Sequence, residues 1–278
     1  MAAKERLLAG RPLVFEVDPA RDPFPEAAPL TLLRRARAVL VPSAHARALL
    51  AVRDRALGER CEVLPPALDA ERFDPAAAGG SRIATFAERW NIPPEGRVVL
   101  VPAPLRPGHG HLRLLEALAG PDFADVHLLL AGGDASPGFA RELERQLAGA
   151  GLAGRVRYVD LDEDRVAAFA LADVVVWLPD PPPLAAPRLV EAQAMGRPVI
   201  SVMAGAAEEV VEPAVTGWLV DPSRPGELES ALVRALALDE GQRARLAARA
   251  RRFVVERFAL PRRVRHLLAL YARLLEGG

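Results

Sequence analysis

From about Arg97 onward, short apolar runs alternate with segments in which apolar residues recur every three or four positions. The runs predict buried strands and the periodic segments predict amphipathic helices. The predicted strands are Val98–Val101, Val126–Leu130, Val156–Tyr158, Val174–Trp177, Val199–Val202 and Trp218–Val220. The predicted helices are His111–Leu118, Phe139–Leu147, Asp164–Leu171, Arg188–Met195 and Ala206–Val211. Apolar strands separated by helices are typical of a doubly wound parallel sheet, so this part predicts a complete Rossmann-like domain.

The first part of the chain repeats this alternation more briefly. Its predicted strands are Leu13–Phe15, Ala38–Val41 and Glu62–Leu64, and its predicted helices are Leu30–Arg37 and Ala44–Leu57. Three short strands leave uncovered edges, so we expect a truncated α/β domain. Pro65–Pro94 has the composition of an interdomain linker with one short helix, and Glu227–Leu275 has helical periodicity throughout.

The fold class predicted from this pattern is α/β. We expect a truncated N-terminal α/β domain over residues 1–80, a Rossmann-like domain over 81–258, and a C-terminal helix over 259–278. The apolar positions of that helix include Leu267, Leu268, Tyr271, Leu274 and Leu275.

The composition excludes several classes of function and structure. Apolar residues make up 51% and charged residues 26% of the 278 positions, and the formal net charge is zero. A balanced charge offers no general attraction to nucleic acid. Cys61 is the only cysteine, which excludes a disulfide framework and favours a packing role in a reducing compartment. The first residues lack the apolar region of a signal peptide, and no apolar run approaches the roughly 18 residues of a membrane span. We therefore expect a cytoplasmic protein, either free or peripheral at the inner membrane surface.

Several stretches carry a family resemblance by their order and spacing. Glu191–Ile200 reads Glu-Ala-Gln-Ala-Met-Gly-Arg-Pro-Val-Ile, and it is followed by Gly205, Glu209 and the Thr-Gly-Trp-Leu-Val-Asp-Pro stretch 216–222. Upstream lie Val-Pro-Ser at 41–43, Val-Leu-Pro-Pro at 63–66 and Leu-Asp-x-x-x-Phe-Asp-Pro at 68–75. Together they resemble the family 4 glycosyltransferases of the GT-B fold.

This resemblance implies a hexosyltransferase. In the family, the C-terminal domain holds a nucleotide-diphosphate sugar and the N-terminal domain presents an acceptor hydroxyl, with retention of anomeric configuration. No cofactor or metal is implied, because an arginine, a lysine and helix N-termini neutralise the diphosphate. The last helix of the fold crosses back to the first domain, and the apolar stripe from Leu267 suits that position.

The family's phosphate-binding loop falls on residues 103–110, where this chain departs from the pattern. Pro104 replaces the arginine and His109 replaces the lysine, while the final glycine is kept as Gly110. Lys4 is the only lysine in the chain, so no nearby lysine substitutes. Arg106 and a partly protonated His109 either bind phosphate in place of the family's arginine and lysine, or lie solvated in a surface loop.

Glu191 matches the glutamate whose carboxylate, in the family, accepts hydrogen bonds from the ribose hydroxyls. Its other reading is a residue in the opening turn of a helix that begins at Pro187, where the helix dipole favours a carboxylate. The family's second acidic residue falls on Pro183, which has neither carboxylate nor backbone N–H. Arg188 is either a phosphate ligand or solvated.

The family's Gly-Gly loop is reduced to Gly205 followed by Ala206, whose side chain crowds an approaching phosphate or sugar. The predicted donor-binding residues are therefore Glu191, Arg106, His109, Gly110, Arg188 and Gly205; no catalytic residue and no metal ligand is predicted. His111, His127 and His266 have no sequence neighbours at ligand spacing.

Two functions remain open from the sequence. One is transfer of a sugar from a nucleotide sugar to a glycan or lipid acceptor, with a nucleotide-sugar epimerase as a less favoured enzyme. The other is a catalytically inactive relative that acts as a binding or regulatory partner, because the replaced cations and carboxylate would have stabilised the transition state. The uncovered edge of the short sheet also predicts self-association, or binding of another protein, through residues 1–65.

Overall fold

The computed structural model describes residues 14–17, 30–133, 135–221 and 223–276. The described strands are β1 Val14–Glu16, β2 Ala38–Val41, β3 Cys61–Val63, β4 Arg97–Val101, β5 Val126–Leu130, β6 Val156–Tyr158, β7 Val174–Trp177, β8 Val199–Val202 and β9 Gly217–Val220. The described α-helices are α1 Leu30–Arg35, α2 Ala44–Arg53, α3 Arg55–Arg60, α4 Gly80–Arg89, α5 His111–Leu118, α6 Pro137–Gly149, α7 Arg165–Leu171, α8 Pro187–Ala194, α9 Ala207–Val210, α10 Glu227–Leu236, α11 Glu240–Phe258 and α12 Leu260–Glu276.

These elements form two compact units. The smaller contains the described residues up to Ala67 and those from Phe258 onward, and the larger contains Leu68–Arg257. None of the described helices is both long enough and apolar enough to cross a membrane.

The larger unit contains one wholly parallel six-stranded sheet in the order β6-β5-β4-β7-β8-β9. The predicted Rossmann-like strands are confirmed, with one extra residue at the start of β4 and of β9. The inner strands are apolar and buried, as the residues between Val98 and Val101 of β4 show, whereas the edge strand β6 contains Arg157 and the exposed Tyr158. The strand order reverses between β4 and β7, which is where doubly wound sheets bind ligands.

From Leu68 onward, the segment expected to be a linker belongs to the larger unit. Leu68 and Phe73 are buried, and the Phe73 ring packs edge-to-face on Phe169 with 6.3 Å between centroids. Arg251 holds the segment by donating to the carbonyls of Ala70 and Phe73 and pairing with Asp74. The segment is therefore ordered structure that leads into the predicted short helix, α4.

The smaller unit contains the parallel sheet β1-β2-β3. Leu270 of α12 is buried against Ala38, Leu40 and Leu64, and Leu267 and Leu274 pack around it. The other predicted apolar positions of α12 face outward: Leu268, Tyr271 and Leu275 are 62%, 45% and 74% exposed. The helix therefore buries a narrower stripe than its sequence indicates.

One predicted helix of this unit is wrong. The segment expected to be a single helix over Ala44–Leu57 forms α2 and α3, with an extended residue, Asp54, between them. The Asp54 carboxylate accepts the backbone N–H of Leu57 at 3.1 Å and so caps α3. An aspartate competes for backbone donors in this way, which favours a helix start over a helix interior. Ser43 caps α2 in the same way, since its hydroxyl accepts from the Ala46 N–H at 2.9 Å.

Self-association through residues 1–65 stays a prediction. Residues 1–13 and 18–29 of that segment lie outside the described ranges.

Candidate functional site

The loops that follow β4 and β7 meet at the carboxyl edge of the larger sheet. The Asp180 N–H donates to the Gly108 carbonyl at 2.7 Å, which ties the two loops together. Gly110 has a left-handed backbone, with φ of 75°, and it precedes α5 as its N-cap. A methyl group at Gly110 would lie 2.7 Å from the Leu178 carbonyl, so only glycine fits this close approach.

A cavity of about 400 Å³ opens beside these loops. Its walls include Arg106, Gly110, His111 and Asp180, and Phe139 of α6 closes one side. No side chain caps the start of α5 at this cavity. Backbone N–H groups at a helix start, together with an arginine, suit a phosphate or another anion.

Arg106 and His109 lie together in the loop after β4. The Arg106 Nε–H donates to His109 Nε2 at 3.2 Å, which requires that nitrogen to be unprotonated. Burial, and secondarily the Arg106 charge, lowers the pKa of His109 below its usual 6.5. The lowered pKa means that His109 carries a positive charge for less of the time near neutral pH than an unperturbed histidine, so Arg106 is the main cation of this pair.

His111, which the sequence did not assign to the site, is the first residue of α5 and lies in the cavity wall. It is 2% exposed, and burial lowers the pKa of its imidazole to about 4. The ring packs edge-to-face on Phe139, with 5.8 Å between centroids. His111 therefore contributes a neutral imidazole to the cavity wall at neutral pH.

Glu191 lies on α8 in a cluster of charges. Its carboxylate accepts two bonds from Arg188 Nη1, at 2.9 and 3.1 Å, and one from Arg165 Nη1 at 3.1 Å. The side chain is only 14% exposed. Burial raises the pKa of Glu191 above 4.5, while Arg188 and Arg72 oppose that rise.

Two of the readings given for α8 need correction: the helix-dipole role of Glu191 and the solvated role of Arg188. Pro187 does begin the helix, but the first turn contains no acidic residue, so Glu191 lies beyond the reach expected for a dipole effect. Arg188 is not simply solvated, because it pairs with Glu191 and lies 3.8 Å from Asp162. The carboxylate is held by side chains rather than by the helix end.

The loop after β8 packs on the proline-rich loop after β7. Gly205 has φ of 66°, and a methyl group there would lie 2.7 Å from the Pro183 carbonyl. The Ala206 N–H donates to that same carbonyl at 2.8 Å. Pro183, the position on which the resemblance places the family's acidic residue, therefore contributes its carbonyl as a structural acceptor.

The predicted site residues thus form two groups at one sheet edge. Arg106 pairs with His109 beside Gly110, and Arg188 pairs with Glu191; no hydrogen bond or ion pair among the described residues joins the first pair to the second. The sequence analysis missed Arg165, because its bond to Glu191 joins positions 26 residues apart. Its one sequence signal is Asp164, a cap residue that places Arg165 at the start of α7. Within the described ranges, no group of three His, Cys, Asp or Glu side chains is arranged to hold a metal ion.

Comparisons with known proteins show which family the chain is similar to. The chain is 32% identical over 223 residues to the D-inositol 3-phosphate glycosyltransferase of Salinispora tropica, a match that covers 76% of this chain and 46% of that protein. The chain thus spans about half the length of the curated relatives it matches.

Solved structures are similar over most of the chain. The crystal structure of HepE from Anabaena in complex with UDP is 25% identical, with a TM-score of 0.82 over 98% of this chain and 75% of that one. A glycosyltransferase from Rickettsia africae shares the fold, with 22% identity and a TM-score of 0.82 over 87% of this chain and 64% of that one. The family described as glycosyl transferases group 1 matches residues 83–253, more than half of the chain. The chain therefore belongs to the group 1 glycosyl transferases and has the GT-B type of α/β fold.

Proposed function

We propose that the larger unit binds a nucleoside-diphosphate sugar at the carboxyl edge of its sheet, and that the protein transfers the sugar to a hydroxyl of a glycan or lipid acceptor. The observation that carries the proposal is the Glu191 carboxylate. Glu191 lies on α8, the helix that follows the switch-point strand β7; it is 14% exposed and is held by Arg165 of α7 and Arg188 of α8. A buried, oriented carboxylate is well suited to accept a ribose hydroxyl.

The diphosphate would lie toward the loop after β4. Arg106 supplies a positive charge there, and the uncapped start of α5 supplies backbone N–H groups. During transfer, the bond between the anomeric carbon and the phosphate oxygen breaks, and the nucleoside diphosphate leaves with the electron pair. A bond forms from the acceptor oxygen to the anomeric carbon, and the hydroxyl proton passes to an oxygen of the leaving diphosphate. These donors stabilise the charge that develops on the leaving diphosphate.

The resemblance further implies that the reaction retains the anomeric configuration and needs no metal. The nucleotide is best tested first as UDP, because HepE was solved in complex with UDP and with UDP-glucose.

Calorimetric titration of UDP, GDP and ADP into the protein and into Glu191→Gln tests the proposal. Loss of a hydrogen bond to a charged group costs about 1.5–3 kcal/mol, so we expect the variant to bind at least about tenfold more weakly. Glu62→Gln is the matched control, since Glu62 also accepts two bonds from one arginine, Arg273, at 2.8 and 2.9 Å, but in the smaller unit. Equal affinity in Glu191→Gln and in the unaltered protein would remove Glu191 from the site.

A second experiment separates transfer from binding alone. The replacement of the family's cation and carboxylate by Pro104 and Pro183 favours an inactive binding partner as the alternative function. Release of UDP from UDP-glucose, measured with and without a glycan or lipid acceptor, distinguishes the two. Nucleotide binding without acceptor-dependent release across a panel of donors would support the inactive partner.

A further inference from the structure

Arg165 is placed between two helices at the candidate site. It is the first residue of α7, whose start is capped by Asp164 through a bond from the Ala167 N–H of 3.0 Å. Its guanidinium reaches α8 and donates to Glu191 Oε1 at 3.1 Å. The two side chains are only 19% and 14% exposed. A shielded ion pair adds little net stability to the fold, because both charges lose their hydration. Stability alone therefore does not explain why this pair is placed here.

The guanidinium lies over a fixed aromatic ring. Its central carbon is 5.8 Å from the centre of the Phe73 ring, which itself packs on Phe169. Arg251 donates to the Phe73 carbonyl at 2.6 Å and to the Ala194 carbonyl, at the end of α8, at 2.9 Å. The Phe-Asp-Pro stretch recognised in the sequence therefore supports the side chain that holds Glu191.

The bonds to Glu191 divide unequally between its two oxygens. Oε1 accepts from both Arg165 and Arg188, whereas Oε2 accepts only from Arg188 among the described residues. Each oxygen of an ionised carboxylate has about two acceptor directions. Oε1 is thus saturated, and Oε2 keeps one direction open for an incoming hydroxyl.

We propose that Arg165 is the positioning residue for nucleotide binding: by occupying Oε1 it keeps Glu191 ionised and directs Oε2 toward the ribose. This inference rests on the proposed function. The charges that face Glu191 are Arg72 from the segment before α4, Arg165 from α7, Arg188 from α8 and Asp162 from the loop after β6. Arg165 acts through Glu191 and does not contact the phosphates.

The test compares UDP with uridine, which retains the ribose and lacks phosphate. Both are titrated calorimetrically, uridine by displacement of UDP, into the protein and into Arg165→Met. If Arg165 acts through the ribose, the affinities for both ligands should fall by the same factor, about tenfold for the loss of one charged hydrogen bond. In a Glu191→Gln background, Arg165→Met should cause no further loss. Arg89→Met is the control. Arg89 of α4 pairs with Glu163, which lies in the loop between β6 and α7, but Arg89 is 64% exposed.

A pH series adds a readout that a merely structural role would not change. Without the Arg165 charge the Glu191 carboxylate protonates more readily, so UDP affinity of Arg165→Met should begin to fall at a higher pH during acidification than that of the unaltered protein. Arg165→Lys keeps a charge and should restore the pH profile in part; it also serves if Arg165→Met does not fold.

The outcomes are distinguishable. If the unaltered protein binds none of UDP, GDP and ADP, the proposed function fails, and this inference fails with it. If it binds UDP and Arg165→Met matches it in affinity and pH profile, only the inference is overturned. If Arg165→Met lowers the affinity for UDP far more than the affinity for uridine, Arg165 contacts phosphate and the positioning role is wrong.

Discussion

The close approach of the loops after β4 and β7 can be tested by adding one methyl group. Gly110 is the N-cap of α5 with φ of 75° and ψ of 9°, and a methyl group there would meet both Cβ and the carbonyl of Leu178. A left-handed conformation costs an L-residue about 1–2 kcal/mol. Overpacking a tight contact costs about 1–3 kcal/mol more. We therefore expect Gly110→Ala to lower the free energy of unfolding of the larger unit by about 2–5 kcal/mol.

The chain offers a matched control for this change. Gly226 is the N-cap of α10 with φ of 76° and ψ of −5°, also without a side-chain cap, and no atom would lie within 4 Å of its added methyl group. Gly226→Ala should therefore show only the backbone cost, about 1–2 kcal/mol. The loss of unfolded-state freedom is the same in both variants and cancels in the comparison.

Urea unfolding followed by tryptophan fluorescence measures this difference in the larger unit alone, because Trp90, Trp177 and Trp218 all lie within Leu68–Arg257. We expect Gly110→Ala to unfold at a lower urea concentration than Gly226→Ala, with a similar slope. Equal midpoints for the two variants would show that the loops do not approach as closely as described, and the cavity wall built on that contact would be wrong.

Three further predictions follow from protonation and capping. Burial raises the pKa of Glu191, so nucleotide affinity should fall as pH decreases through that raised pKa, whereas Glu191→Gln should show no such fall; calorimetry at several pH values measures this. The folding contribution has the opposite sign, because a carboxyl with a raised pKa in the folded state favours folding at low pH and loses that contribution as pH rises. Burial raises the pKa of the Cys61 thiol to about 11, so a thiol reagent at pH 8 should label it only in denaturant. Asp54→Ala should destabilise the smaller unit by about 1 kcal/mol or more, measured by thermal unfolding, because it removes both the cap of α3 and the ion pair with Arg34; an unchanged midpoint would indicate that the carboxylate is not needed to start α3.

Local structure was predictable where a residue and its near neighbours in the sequence decide it. The strands of the larger sheet were predicted from apolar runs alone, because a strand buried on both faces admits few polar residues. Pro187 begins α8 because its fixed φ and missing N–H suit a first helical position. Asp54 shows the limit of periodicity: apolar spacing favoured one helix, and a single side-chain bond to the backbone divided it.

The sequence by itself determined the fold class, the strands and the region of the site, because burial and backbone preferences act over a few neighbouring residues. Only the tertiary structure decided how the site is charged. Glu191 meets Arg165 because α7 and α8 bring positions 26 residues apart into contact, and no periodicity encodes that pairing. Burial beside Arg106 lowers the pKa of His109 and so favours its neutral form. A side chain's charge depends on the solvent and the charges around it, and those surroundings exist only once the chain has folded.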